Sequence, residues 1–287
     1  MSAPDPSPPL VRLTRDQLAA AAHLVPPERP GPMIAQHVLA TGNGSCLADR
    51  WPDPRALLVE TGGNWTLAGD PAALDPAALR GRVAGFVDAP AAFEPLLRAA
   101  VRELQEWPRV VLTLDGPGGP PPEHHDSLQV RRLGPGDAGS LERLGDETGW
   151  IASTWGGPGG LAASGTAWGA FDGRRLAAVA CPFFVGEGYE DLGVATEPAF
   201  RGLGLSPACA AAACQDVRRR GRIPSWTTSP DNTASLRVAA KLGFRLQRHD
   251  RLLVADIPIP EPAARLSPEA GRTRTGRSGR RTGRPTP

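Results

Sequence analysis

Apolar and polar residues fall in short blocks whose period switches between two and about three and a half, the pattern of alternating strands and helices. Helical spacing begins near Gln17 and runs over 17–23. Apolar runs of strand length follow at 55–60 and 64–68, split by Thr61-Gly62-Gly63, which predicts a hairpin. Residues 74–80 and 91–105 fit helices, and 82–87 and 109–114 fit strands. After position 128 the pattern starts again: a strand at 130–133, a helix over about 138–148, and a glycine-rich loop at 156–160. Strands at 166–171 and 175–184 then flank Asp172-Gly173, a dipeptide favoured in tight turns. A third strand over 189–196 leads through a glycine-bearing loop to an alanine-rich helix that ends at Gly221. A strand at 224–228, a helix at 233–242 closed by Gly243, and a strand at 251–257 complete the series. The sum is a mixed α/β chain in two parts.

Between the parts, Gly116-Pro-Gly-Gly-Pro-Pro-Pro-Glu-His-His-Asp126 can sustain neither helix nor strand and reads as a linker. His124, His125 and Asp126 lie inside it without a serine or cysteine in a nucleophile context, so they carry no catalytic assignment. The expected organisation is an N-terminal α/β domain over 1–115, the linker over 116–127, a second domain over 128–258 and a tail over 259–287.

Composition narrows the function. The chain has 287 residues, 40% hydrophobic and 22% charged, which is enough for a sizeable core. No run of eighteen apolar residues and no signal-peptide pattern occurs, so a cytoplasmic protein without a membrane partner is expected. Cys46, Cys181, Cys209 and Cys214 have no metal-ligand spacing and read as buried thiols, with no metal site. The net charge of +2 is uneven: seven arginines against Glu269 from Arg265 onward give the tail +6 and leave −4 on the rest. From Gly271 onward the tail has no aliphatic or aromatic residue with which to form a core or stack bases, so disorder, and no specific nucleic-acid binding, is expected of it.

The chemistry concentrates in Val194-Ala-Thr196-Glu-Pro-Ala-Phe-Arg201-Gly202-Leu203-Gly204-Leu205-Ser206-Pro207. The chain must turn here from strand to helix, and Gly202 and Gly204 remove side chains that would keep a ligand off the backbone. Amides without intrahelical partners and the helix dipole then favour an anion, and Arg201 adds a guanidinium fork. Ser206 and Pro207 fit the N-cap and first helical position. A third glycine at 207, which a dinucleotide fingerprint requires, is absent, and no Gly-Lys-Ser/Thr follows for a Walker loop.

Arg201-Gly-Leu-Gly204-Leu-Ser206 resembles the Arg-x-x-Gly-x-Gly/Ala acetyl-CoA loop of the GNAT superfamily of N-acetyltransferases. Asn232-Thr-Ala-Ser235-Leu-Arg-Val-Ala239-Ala-Lys241-Leu-Gly243-Phe244 is similar to the superfamily's Asn-x-x-Ser/Ala helix ending in Gly-Phe. The resemblance covers about residues 128–257. With the extra N-terminal domain, it extends to a two-domain bacterial branch that includes antibiotic self-resistance enzymes.

It implies a GNAT fold, with a mixed, mostly antiparallel sheet splayed around the cofactor. The N-terminal domain would be either a degenerate copy of that fold or an acceptor-side wall. It also implies direct transfer of acetyl from acetyl-CoA to a small amine or amino-acid-like molecule, with pantetheine between strands at 192–196 and 226–228. Val194, Thr196, Arg201 to Ser206 and Asn232 would contact the cofactor. An alkylammonium with a pKa near 10.4 is neutral only about once in 2,500 molecules at pH 7, so a base is needed. Glu190, at the start of the cofactor strand, is the expected base, with Glu187 and Asp191 as rivals. The superfamily's tyrosine acid would fall at Ala239, so Ser235, water or Tyr189, the chain's one tyrosine, must protonate the leaving thiolate. Alternatives are a catalytically weak acyl-CoA sensor and a protein N-acetyltransferase, and homodimer formation stays open.

Overall fold

The computed structural model describes residues 9–116, 119 and 129–261. Most of the expected linker and the arginine-rich tail lie outside the described residues. The first half of the chain runs β1 (Val11–Leu13), α1 (Arg15–Ala20), α2 (Ile34–Thr41), β2 (Ser45–Ala48), β3 (Ala56–Thr61), β4 (Asn64–Gly69), α3 (Pro76–Leu79), β5 (Gly85–Asp88), α4 (Glu94–Ala100) and β6 (Leu104–Thr113). The second half repeats that order: β7 (Gln129–Arg132), α5 (Ala138–Glu142), α6 (Pro158–Ser164), β8 (Trp168–Asp172), β9 (Arg175–Val185), β10 (Tyr189–Thr196), α7 (Leu205–Arg219), β11 (Ile223–Thr228), α8 (Thr233–Leu242) and β12 (Arg245–Ala255).

All twelve strands share one sheet, ordered β1-β2-β3-β4-β5-β12-β6-β11-β10-β9-β8-β7. Exchanging the halves, β1 with β7 through β6 with β12, reverses this order onto itself. The two parallel pairs, β4 with β5 and β10 with β11, map onto each other in the same way. At the centre the last strands are crossed over, β12 lying beside β5 and β6 beside β11, and they pair antiparallel from Leu104–Ala255 to Thr113–Arg245.

Alternation along the strands sends side chains to two faces. In β3, Leu58 joins the core under α3 and α4, while Leu57 and Val59 join the core under α1 and α2. In the second half the core under α7 and α8 holds Leu192, Cys209, Trp226 and Phe244, and the opposite face holds Ile151, Trp155, Leu161 and Ala195. All four cysteines are buried free thiols. Burial pushes Cys46, Cys209 and Cys214 up to about 12, so none is a thiolate near neutral pH.

Several boundaries differ from the expected ones for tertiary reasons. The helix expected over 91–105 stops at Ala100, because Leu104 onward is claimed by β6 in its ladder with β12. The last strand begins at Arg245, six residues earlier than its apolar pattern, since its first part pairs as a strand with polar, largely exposed side chains. Half of the glycine-rich loop is helix: Gly156 caps a 3-10 turn over Gly149–Trp155, and α6 starts at Pro158. That segment is therefore packed structure. A Cβ on Gly160 would meet Trp155 O at 1.8 Å.

His37 on α2 joins the halves. Its Nε2–H donates to Thr154 O (2.8 Å), and its Nδ1 accepts the Val185 amide (3.2 Å). Because Val185 N–H can only donate, the ring is neutral with its proton on Nε2. Burial lowers its pKa from 6.5 to about 4. Between these values the unfolded chain holds more protons than the folded one, so falling pH removes this stabilisation, which is complete above about pH 6.5. Relative to His37→Gln, the wild-type stability margin in denaturant titrations is expected to be constant above pH 7. Between pH 6.5 and 4 it should shrink by up to about 3 kcal/mol. A margin independent of pH would remove the buried neutral histidine from the account.

Candidate active site

β10 and β11 run parallel but pair at only three positions, Tyr189 with Ile223, Glu190 with Pro224 and Asp191 with Ser225. Beyond these, β10 follows β9 as far as Thr196, and β11 follows β6 as far as Thr228. A wedge opens between Leu192–Thr196 on one side and Trp226–Thr228 on the other. The edge of β10 facing it has no ladder partner beyond Asp191 among the described residues. At this point the ladder with β9 also shifts register, skipping Phe183.

The loop after β10 closes the wide end of the wedge. Gly202 and Gly204 have φ of +83° and +77°, a left-handed backbone that only glycine adopts cheaply. Gly204 is the N-cap of α7, which starts at Leu205, two residues before the expected first helical position. Ser206 is thus inside the helix, its hydroxyl 2.6 Å from Thr196 Oγ1, and Pro207 occupies the third helical position, where its missing N–H is still no loss. Among the described residues no hydrogen-bond acceptor meets the amides of residues 202–206. Leu205 is core, Val194 packs against it half-buried, and Leu203 is exposed beside the loop. The Arg201 fork is held by Glu147 (Nη2 to Oε2, 2.6 Å), with Nε toward Thr196 O at 3.4 Å.

Asn232 caps α8, its Oδ1 accepting Ser235 N–H at 3.1 Å. Ser235 Oγ in turn accepts Trp226 Nε1–H at 2.9 Å, which leaves its own proton to donate. Ala239 is fully buried in the α7 and α8 core, so this position offers no hydroxyl.

The acids at the start of β10 point opposite ways. Glu190, 1% exposed, faces α7 and accepts from Arg220 (Nε 2.9 Å, Nη2 2.6 Å) and Arg222 (Nη1 2.8 Å). Those two guanidiniums, with Asp216 bound to Arg220 and Arg132, form an ion-pair cluster that ties the end of α7 to β10. Both oxygens of Glu190 are therefore occupied by guanidinium donors. Glu187 lies on the exposed turn before β10, where Glu28 accepts from the amides of Glu187, Gly188 and Tyr189. Tyr189 is half-buried against Met33, Ile34 and Phe184.

Asp191, 4% exposed, is the last paired residue before the wedge and faces away from α7. Ser225 and Thr227 donate to its Oδ1 at 2.8 and 3.0 Å. Burial raises its pKa from 3.8 to about 6 against the pull of those hydroxyls, Arg109 and Arg248. Gly31, from the loop before α2, donates its amide to Ser225 Oγ at 3.3 Å and covers this group. Sequence reading named Asp191 only as a rival and missed Ser225, Thr227, Arg109 and Arg248. The available signal was polar residues at alternate positions in strands that are otherwise apolar.

A protein of Streptomyces virginiae named as an uncharacterized N-acetyltransferase in the mutA 5' region is 40% identical over 225 residues, covering 77% of this chain and 94% of the relative. The chain belongs to the GNAT acetyltransferase family. The GNAT acetyltransferase family model matches residues 145–251, which span the wedge, the cradle and α8. Solved structures share the GNAT fold. A GCN5-related N-acetyltransferase-like protein from Streptococcus suis has a TM-score of 0.61 at 18% identity, covering 84% of this chain and 98% of its own. A tandem GNAT protein from the clavulanic acid biosynthesis pathway has a TM-score of 0.51 at 14% identity, covering 88% and 99%. In this GNAT-type N-acetyltransferase the matched residues include the strand-to-helix turn after β10. Among the described residues no group of three metal-ligating side chains occurs, and no helix is long and apolar enough to cross a membrane.

Proposed function

We propose that this GNAT protein transfers acetyl from acetyl-CoA directly to the amine of a small molecule, with Asp191 as the base. The observation that carries this is the wedge itself: β10 and β11 part just beyond Asp191, and the loop after β10 presents five amides that meet no acceptor among the described residues. These residues fit the cofactor. Residues 202–206 would hold the pyrophosphate, aided by Arg201 on release from Glu147, and Val194, Thr196 and Asn232 would border the pantetheine. Bound there, acetyl-CoA supplies an activated thioester.

Asp191 takes a proton from the acceptor ammonium, and the freed nitrogen lone pair forms the new C–N bond as the C–S bond breaks. A carboxyl raised to about 6 is ionised at neutral pH yet basic enough to take that proton. Ser235 donates its proton toward the thiolate and regains one from solvent, in place of the tyrosine that Ala239 lacks.

We assign the first half, over 1–115, as a degenerate copy of the same fold that walls the acceptor side. Its counterpart of α7 is α3, four residues long, preceded by Asp70-Pro71 and Asp75-Pro76 turns rather than a glycine cradle. Residues 128–258 are then the transferase unit. The test is calorimetric titration with acetyl-CoA followed by a thiol-release assay over an amine library. Micromolar binding with amine-dependent thiol release is expected; no binding by the folded protein would sink the proposal.

A further inference from the structure

On the face of the sheet that carries Asp191, the crossed strands β6 and β12 bring two arginines together. Strand register sets Arg109 opposite Asp250 and Val111 opposite Arg248, so Arg109 and Arg248 are diagonal neighbours on one face, within reach of a single small group. Both contain a buried N–H without an acceptor among the described residues. For Arg109 it is Nε, while Nη2 donates to Thr227 O at 3.2 Å and the guanidinium stacks 4.0 Å over Trp107. For Arg248 it is Nη2, which lies in an ion pair with Asp250 Oδ2 at 2.7 Å without an aligned hydrogen bond, while Nε donates to the same oxygen at 2.9 Å.

Unmet buried donors on cations are costly, and a folded protein keeps them where a ligand supplies the acceptor. The neighbouring charges are Asp191, Asp231, Asp250, Asp88 and Arg29. Among the described residues no carboxylate lies within ion-pair distance of Arg109, although Asp191 and Asp231 bear on it electrostatically. The side chain of Arg248 remains 24% exposed, so the pair is not sealed.

Building on the transfer reading above, we infer that the acceptor is a compact amino acid whose carboxylate is held by Arg109 and Arg248 while its amine faces Asp191. A zwitterion matches this order of charges, with its negative end at the two guanidiniums and its positive end at the carboxyl. A fork such as Arg109, pinned by stacking and by Thr227, loses little freedom on binding a carboxylate. Glycine at position 31 fits the same picture. A Cβ there would meet Arg248 Nη2 at 3.0 Å, and the backbone at φ +113° favours glycine, so position 31 covers the arginine closely with bare backbone.

Thiol release with acetyl-CoA should be compared across pairs that differ only in the carboxylate: 2,4-diaminobutyrate with 1,3-diaminopropane, ornithine with putrescine, phenylalanine with phenethylamine, glycine with methylamine. In at least one pair the amino acid is expected to have a kcat/KM about 100-fold higher, from charge-assisted bonds present only with the carboxylate. Arg109→Gln and Arg248→Gln should bring that ratio close to one, mainly through KM. Arg109→Lys, which keeps charge but not the fork, should lose about tenfold, and circular dichroism establishes that each variant is folded. Pairs that react alike, or variants that slow both members of a pair equally, overturn the carboxylate assignment and leave acetyl transfer standing. Acetyl-CoA binding with no thiol release from any amine overturns both.

Discussion

Gly204→Val is expected to abolish acetyl-CoA binding, with a dissociation constant at least about 100-fold weaker by calorimetry. Two effects act together. At φ +77° a β-branched residue is a conformational outlier, costing about 1–3 kcal/mol if the loop is kept. The isopropyl group would also stand at the N-terminus of α7, where the amides of residues 202–206 must be approached closely, and each charge-assisted bond lost costs about 1.5–3 kcal/mol. Thermal stability should fall by only a few degrees, because the loop at Gly204 lies outside the buried core. Gly204→Ala separates the effects, adding the strain but less bulk, and should lie in between. Unchanged affinity in a folded valine variant would remove this turn from the donor site.

Asp191→Asn should lower kcat by about 10³-fold while acetyl-CoA affinity is kept, since the carboxyl faces away from the cradle and an amide oxygen can still accept from Ser225 and Thr227. The wild-type kcat/KM should rise with pH through an inflection near 6 and then level, because the base works only when ionised. That inflection should vanish in the variant. Stability should move the other way. With a folded pKa raised above the unfolded value, the native state holds the extra proton between about pH 4 and 6. As pH rises from about 4 to 6 that stabilisation is lost, by about 3 kcal/mol in all. Asparagine removes that cost, so the variant should match wild type near pH 4 and exceed it at pH 7.5. A variant that is both active and less stable at pH 7.5 would take Asp191 out of the role of base.

The elements whose signals are local were legible in the chain. β10 and α8 match the expected residues because each is bounded by its own turn or cap, and α7 follows from an alanine-rich run. The cradle was legible for the same reason: two glycines and a helix start within six residues define an anion-binding turn wherever the rest of the chain goes. α2 and β2 escaped notice because the packing that stabilises them, against β3 and across to Phe184, is distant in sequence. The mirrored strand order also escaped, as no turn or cap marks that β6 and β12 change places.

The base shows the division most plainly. Glu190 and Asp191 are adjacent acids at the head of one strand, and nothing in their order says which faces the acceptor. By itself the sequence determined the family, the glycine turn between a strand and a helix, and the strand that bears two adjacent acids. Only the tertiary structure separates the surroundings of the acids, because a strand sends neighbours to opposite faces. One face holds Arg220 and Arg222, whose guanidiniums occupy both oxygens of Glu190, and the other holds Ser225 and Thr227, where burial raises Asp191 to about 6. The crossing of β6 and β12, which sets Arg109 and Arg248 beside that acid, joins residues more than a hundred positions apart and exists only in the folded sheet.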